Sequence, residues 1–180
     1  HHALAALERA GLLTALITQN IDQLHKRAGS RRTLEIHGNI GTASCLSCGC
    51  NYASDQFKDY LLREEMGLPT CTQCRNVLKL DIILFGEILP EKTMRDAQQA
   101  ALRCDLMLVA GSSLRVFPAA DLPAMAHRNG AALIIINREE TCLDNAANVV
   151  LRSDVAEALP AIVGLLSTLQ AVHTQETEVT

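Results

Sequence analysis

Two Cys-x-x-Cys pairs, Cys45/Cys48 and Cys71/Cys74, constrain this chain more than any other feature. Each pair forms a knuckle whose two thiolates can face one ion. Two knuckles make a closed tetrahedral set with no open position, which is the pattern of a structural zinc site rather than a catalytic one. The 22 residues between the pairs (49–70) slightly exceed the usual ribbon spacing, and a helix-like stretch over 54–66 takes up the excess. Iron is compatible with the same four sulfurs. A redox-active pair would have to open a thioredoxin-like helix after a strand, and neither pair does so. Cys50 could compete as a ligand but is expected to stay free, while Cys104 and Cys142 read as small core residues. The chain does not open on a charged-then-apolar signal segment. Seven cysteines then favour a metal site in a reducing, cytoplasmic setting over a disulfide framework.

Outside the cysteine segment the pattern changes. Apolar runs at 12–17, 81–85, Leu106–Ala110 and Ala132–Ile136, with a weaker one at Val149–Leu151, show no polar alternation. Such runs suit parallel strands covered on both faces. Helical spacing lies between and around them, over 2–10, Glu91–Arg103, 118–129 and 154–169, the last capped by Ser153 or Asp154. Alternating strands and helices predict an α/β fold with a parallel sheet, interrupted by a small metal-pinned insert. With 48% hydrophobic residues among 180, the chain can bury a real core. A net charge of −4 and five aromatic residues without Trp argue against direct nucleic-acid binding. The apolar runs are too short to span a bilayer, so no membrane partner is expected.

Four of the strand candidates end in small or polar residues. Ile17 runs into Thr18-Gln19-Asn20-Ile21-Asp22, Phe85 into Gly86-Glu87, Ala110 into Gly111-Ser112-Ser113, and Ile136 into Asn137. In open α/β sheets ligands bind beyond the carboxyl ends of the strands, so four such termini point to a shared crevice. Each alone has a plain structural reading. The Gln-Asn-Ile-Asp cluster can be a strand end with a helix cap. Gly111–Ser113 can be a tight turn. His37, beside Gly38, can be a general base or a structural imidazole.

Considered together, TQNIDxLHxxAG at 18–29, HG at 37–38, the paired knuckles, FGExLP at 85–90, GSSLxVxPAAxLP at 111–123 and INxxxT at 136–141 resemble the sirtuins, the NAD-dependent protein lysine deacylases, closest to prokaryotic-type members. The resemblance covers roughly residues 1–165. It implies a Rossmann-like NAD-binding domain over 1–42 and 81–172, a zinc-binding module over 43–80, and a flexible tail at 173–180. It also implies NAD as co-substrate, structural Zn2+ on Cys45, Cys48, Cys71 and Cys74, acyl-lysine protein or peptide substrates, and nicotinamide and O-acyl-ADP-ribose as products. By the same likeness His37 is the general base, and Asn20 and Asp22 line the nicotinamide-ribose pocket with Gln19 on the ribose. Gly111, Ser112 and Ser113 hold the adenosine half, with Asn137 on its ribose and Arg138, Asp154 and Val155 near adenine. Gly86, Glu87 and the segment from Leu114 to Val116 sandwich the substrate backbone as an added strand, and Ile83 and Phe85 wall the acyl-lysine tunnel.

The family's glycine-rich GAGxS turn and PDFR-like run do not occur in these 180 residues. That turn normally supplies backbone N–H groups to the diphosphate. The expectation is therefore a fragment of a deacylase with little activity of its own. Two other classes stay open: a non-catalytic zinc-stabilised module that binds acyl peptides, recognised by binding without NAD, and a thiol-redox protein, recognised by freely titrating Cys-x-x-Cys thiols.

Overall fold

The computed structural model describes residues 1–57 and 67–177, with side chains as far as Leu169. The apolar runs become two parallel ladders in separate sheets. Strand β1 (Leu16–Thr18) pairs with β2 (Thr33–Glu35). Strands β6 (Leu106–Ala110), β7 (Ala132–Ile136) and β8 (Val149–Leu151) lie in the order β6-β7-β8. The central strand β7 is covered: Leu133, Ile135 and Ile136 are fully buried, as the absence of polar alternation requires.

Helices fill the connections. Helix α1 (His2–Arg9) precedes β1 and lies against the last helix, α5 (Val155–Thr177). The short α2 (Leu24–Arg27) follows β1, α3 (Glu91–Arg103) precedes β6, and α4 (Asp121–Arg128) joins β6 to β7. One core cluster joins the two ladders: Ile36, Ala97, Ala101, Ala119, Leu122, Ala126 and Ala131 are buried together, with Ile17 and Leu34 on one side and Met107 on the other. Alanines dominate this cluster, which lets α3 and α4 approach closely. The Glu8 carboxylate accepts the Arg31 and Arg32 N–H groups at 2.8 and 2.7 Å, tying α1 to the approach of β2.

Several sequence expectations shift. The strand expected at 12–17 begins only at Leu16, because the Leu12 and Leu13 N–H groups still bond the Leu7 carbonyl at the end of α1. The parallel strand expected at 81–85 is instead β5 (Leu78–Ile82), antiparallel to β3 (Gly38–Cys45). Lys79 and Asp81 alternate with apolar residues there, the signature of a sheet with one wet face. Past it, Leu84 and Phe85 are exposed, since the chain turns at Gly86 (φ +89°). Helix 118–129 starts at Asp121, and the closing helix expected at 154–169 continues to Thr177. Only Ser54–Phe57 of the helix-like stretch 54–66 is described, as one 3-10 turn; the rest lies outside the described residues. Cys142, expected in the core, is exposed.

The insert is a three-stranded antiparallel sheet in the order β4-β3-β5, with β4 at Asn51–Ala53. Among the described residues its core is Ala43, Cys45, Phe57, Cys71 and Leu78. A metal on the four cysteines would add to the stability of this sheet.

Candidate functional site

The two knuckles converge. The sulfurs of Cys45, Cys48, Cys71 and Cys74 lie within 4.8 Å of one another, with Cys45–Cys74 at 3.4 Å, Cys48–Cys74 at 3.5 Å and Cys48–Cys71 at 3.6 Å. A tetrahedral zinc with bonds of about 2.3 Å needs sulfur–sulfur edges of about 3.8 Å, so a small relaxation seats the ion. Backbone N–H groups already point at the sulfurs, from Ser47 and Cys48 to Cys45 Sγ and from Gln73 to Cys71 Sγ. The Tyr52 hydroxyl, 3.1 Å from Cys71 Sγ, is the main cause holding the Cys71 thiol down at about 6. Four sulfurs this close cannot all ionise without a cation between them. The donor set therefore fits zinc, and closes it off from substrate.

His37 sits where β2 hands over to β3. Its Nδ1 lies 3.2 Å from the Gln19 carbonyl oxygen. A carbonyl only accepts, so Nδ1 carries the proton in this bond and the neutral ring offers Nε2 as the basic nitrogen. The His37 carbonyl in turn accepts the Ile83 N–H at 2.9 Å, which links the imidazole to the exit of β5. Gln19 thus reaches His37 through its backbone rather than its amide. Asp22 Oδ1 accepts the Leu24 N–H at 2.9 Å where α2 begins, while Asn20 is exposed with its N–H on Thr18 Oγ1.

A separate open cavity of about 430 Å³ lies beyond the carboxyl ends of β6, β7 and β8. Gly111, Ser113, Asn137, Arg138, Glu139, Ser153, Asp154 and Val155 line it. The β6 exit needs a glycine: Gly111 has φ +63°, and an added Cβ would stand 3.4 Å from Val155 Cγ2. Asp154 caps α5, its Oδ1 accepting the Ala156 N–H at 2.8 Å, and it pairs with Arg138 across the rim. The Ala156 N–H, then Arg138, hold its carboxyl below the usual range. Ser112 is off the lining, its Oγ accepting the Leu114 N–H at 3.3 Å. Gln19, Asn20, Asp22 and His37 do not line this cavity either. Glu139 and Ser153 were missed in the sequence; their one available signal is adjacency to Asn137 and Asp154.

The residues expected around a substrate divide. Glu87 is occupied internally: its Oε2 accepts the Leu84 N–H and the Lys79 ammonium, each at 2.9 Å, and these two donors, in that order, depress its carboxyl. Lys79 also donates to the Ile82 carbonyl, so Glu87 shapes the loop around Gly86. Leu114 is 4% exposed, packed in a cluster with Val109, Ala120, Leu133 and Ile135, because its positive φ (+54°) turns the side chain inward. Val116 is exposed and Ile83 half-buried. Phe85 is 99% exposed, so it is not part of an enclosed tunnel wall formed by the described residues.

Comparison with known proteins adds to this geometry. A model of the Sir2 family matches residues 1–118. An NAD-dependent protein deacetylase of Sulfurisphaera tokodaii is 44% identical over 173 residues, covering 96% of this chain and 67% of the relative. NAD-dependent protein deacylase 2 of Archaeoglobus fulgidus is 44% identical over 164 residues, covering 91% of this chain and 64% of the relative. The chain thus spans about two thirds of the length of these relatives. Among solved structures, Sir2 with a p53 peptide and NAD+ superposes with a TM-score of 0.86 at 39% identity, over 93% of this chain and 69% of that one. Sir2Af2 bound to a myristoylated histone peptide gives 0.84 at 42% identity, over 95% and 72%. No described helix is long and apolar enough to cross a membrane.

Proposed function

The chain belongs to the Sir2 family, and on that premise we propose that it is an NAD-dependent protein lysine deacylase, moving the acyl group of an acyl-lysine protein or peptide onto the ADP-ribose part of NAD. The observation that carries the reading is the cavity at the ends of β6, β7 and β8, which joins the Gly111 turn, Asn137 and the start of α5. Its size suits an adenosine, and Asn137 and Arg138 bring polar side chains to its rim.

NAD supplies the ribose carbon that takes the acyl oxygen as nicotinamide leaves. The chain's own residues do the rest. Gly111 and Ser113 present the turn to the adenosine half, with Asn137 on its ribose and Arg138, Asp154 and Val155 nearby. Asn137 donates one amide hydrogen to the Glu139 carbonyl at 2.9 Å, which leaves Oδ1 as an acceptor for a ribose hydroxyl. His37 Nε2 takes a proton from a hydroxyl of the nicotinamide ribose, and the Gln19 carbonyl holds the imidazole in the tautomer this requires. Asn20 and Asp22 flank that ribose. The exposed Phe85 and Ile88 (91%) are apolar surface that an acyl-lysine peptide would cover, running beside Gly86 and Val116. Zinc on the four cysteines holds residues 43–80 in place. The reduced thiols that such a site needs suit a reducing compartment, and a cytoplasmic location is part of this reading.

The test is nicotinamide release from NAD with an acetyl-lysine peptide, by the 180-residue chain and by the chain fused to a GAGxS-bearing segment of the family. Turnover is expected in the fusion, little in the chain alone, and a loss of about 100-fold or more in His37→Ala. A silent fusion that still binds the peptide without NAD would favour a non-catalytic acyl-peptide module. Silence with no peptide binding would refute both.

A further inference from the structure

The loop that carries Asn137, Arg138 and Glu139 to the cavity has no regular structure, and a nucleotide site built on it would need that loop held still. Arg152, just after β8, reaches back across it. Its Nη1 donates to the Glu139 carbonyl at 3.0 Å and to the Asn137 carbonyl at 3.4 Å, while Nη2 pairs with the Asp144 carboxylate. Asp144 closes the far side: its Oδ1 accepts the Thr141 hydroxyl at 2.7 Å and its Oδ2 the Thr141 N–H at 3.1 Å. Thr141, then Arg152, hold that carboxyl below its usual range. One carboxylate and one guanidinium therefore fasten both ends of residues 137–141. Neither Asp144 nor Arg152 lines the cavity.

We propose that Arg152 and Asp144 form a positioning staple that holds Asn137 and Glu139 in the geometry that recognises the adenosine half of the nucleotide. The inference rests on the reading of that cavity as the adenosine site. Arg152 is a positioning residue, because it acts through two backbone carbonyls. The planar fork matters: a lysine at 152 keeps a charge beside Asp144 but cannot span two carbonyls and a carboxylate at once.

The probe is ADP-ribose, titrated calorimetrically into the full chain and into Arg152→Ala, Arg152→Lys and Asp144→Asn, with amide hydrogen exchange on each protein. Losing hydrogen bonds to a charged donor predicts an affinity about 10- to 100-fold lower in Arg152→Ala, with partial rescue in Arg152→Lys. Amides 138–141 should exchange about tenfold faster in Arg152→Ala, while those of β6 and β7 stay protected. Should Arg152→Ala unfold, the lysine and asparagine variants give the same comparison. ADP-ribose affinity equal across the variants, with binding intact in the parent, would overturn the staple and leave the cavity reading standing. Failure of both the parent and its GAGxS-bearing fusion to bind would overturn the cavity reading, and with it the nucleotide role of the staple. Unchanged exchange at 138–141 would overturn the staple whatever the ligand does.

Discussion

Gly38→Ala tests whether the glycine after His37 is there because of the fold. Gly38 has φ +70°, and an added Cβ would stand 1.8 Å from the Asp81 carbonyl oxygen, 2.9 Å from its carbon and 3.3 Å from Ile82 Cα. All three are backbone atoms of the neighbouring strand, so no side chain can swing away to make room. The left-handed conformation alone costs an alanine about 1–2 kcal/mol. Forcing β3 and β5 apart adds the cost of an overpacked site, about 1–3 kcal/mol. A total of about 2–5 kcal/mol, at about 2–4 °C per kcal/mol for a chain of this size, lowers Tm by about 4–20 °C. Gly11→Ala is the matched control: φ is +74°, and nothing lies within 4 Å of its added Cβ. It should lose only the conformational part. Thermal unfolding by circular dichroism compares the two, and hydrogen exchange at the Ile83 amide reports whether its bond to the His37 carbonyl survives. Equal losses in the two variants, with the Ile83 amide still protected, would refute the steric argument.

Zinc analysis should give one ion per chain. A thiol reagent should count no more than Cys50, Cys104 and Cys142 before chelation, and all seven cysteines after it, with a lower Tm. Free reaction of all seven without chelation would remove the metal reading. Asp144 and Asp154 both have carboxyls depressed below the ordinary 3.8. The stability they add is therefore fully present above that value and is lost as pH falls through their lower folded values. Tm measured from pH 7 down to pH 3 should fall less steeply in Asp144→Asn than in the parent, and parallel curves would contradict the assignment.

Much of the site was legible because it depends on local chemistry. The knuckle spacing of Cys45/Cys48 and Cys71/Cys74 is a local geometry, and the four sulfurs do converge. Gly111 and Ser113 after β6 and Asn137 after β7 line the cavity, where parallel sheets place ligand crevices, although Ser112 between them does not. Leu114 behaves differently. In sequence it sits in a polar turn, but a positive φ, invisible from composition, drives its side chain into the core. Glu87 and Asp154 are comparable: whether a carboxylate is free for a ligand depends on the donors that tertiary contacts bring to it, here Lys79 with Leu84 and Arg138 with Ala156.

The apolar run at 81–85 shows where local pattern stops. Periodicity reports that Ile82–Phe85 is apolar, and burial normally follows, yet burial needs a covering partner and Phe85 has none among the described residues. The sequence alone determined the α/β class, the insert and which four sulfurs could share a metal, since hydrophobic period and ligand spacing act within a few residues. Only the tertiary structure decided that β5 pairs antiparallel with β3, that His37 is oriented by the Gln19 carbonyl, and that Arg152 reaches back to the 137–141 loop. Those contacts join segments 13 to 44 residues apart (Glu139–Arg152, Gly38–Ile82), and hydrogen-bond partners at such separations are chosen by packing, which no local pattern encodes.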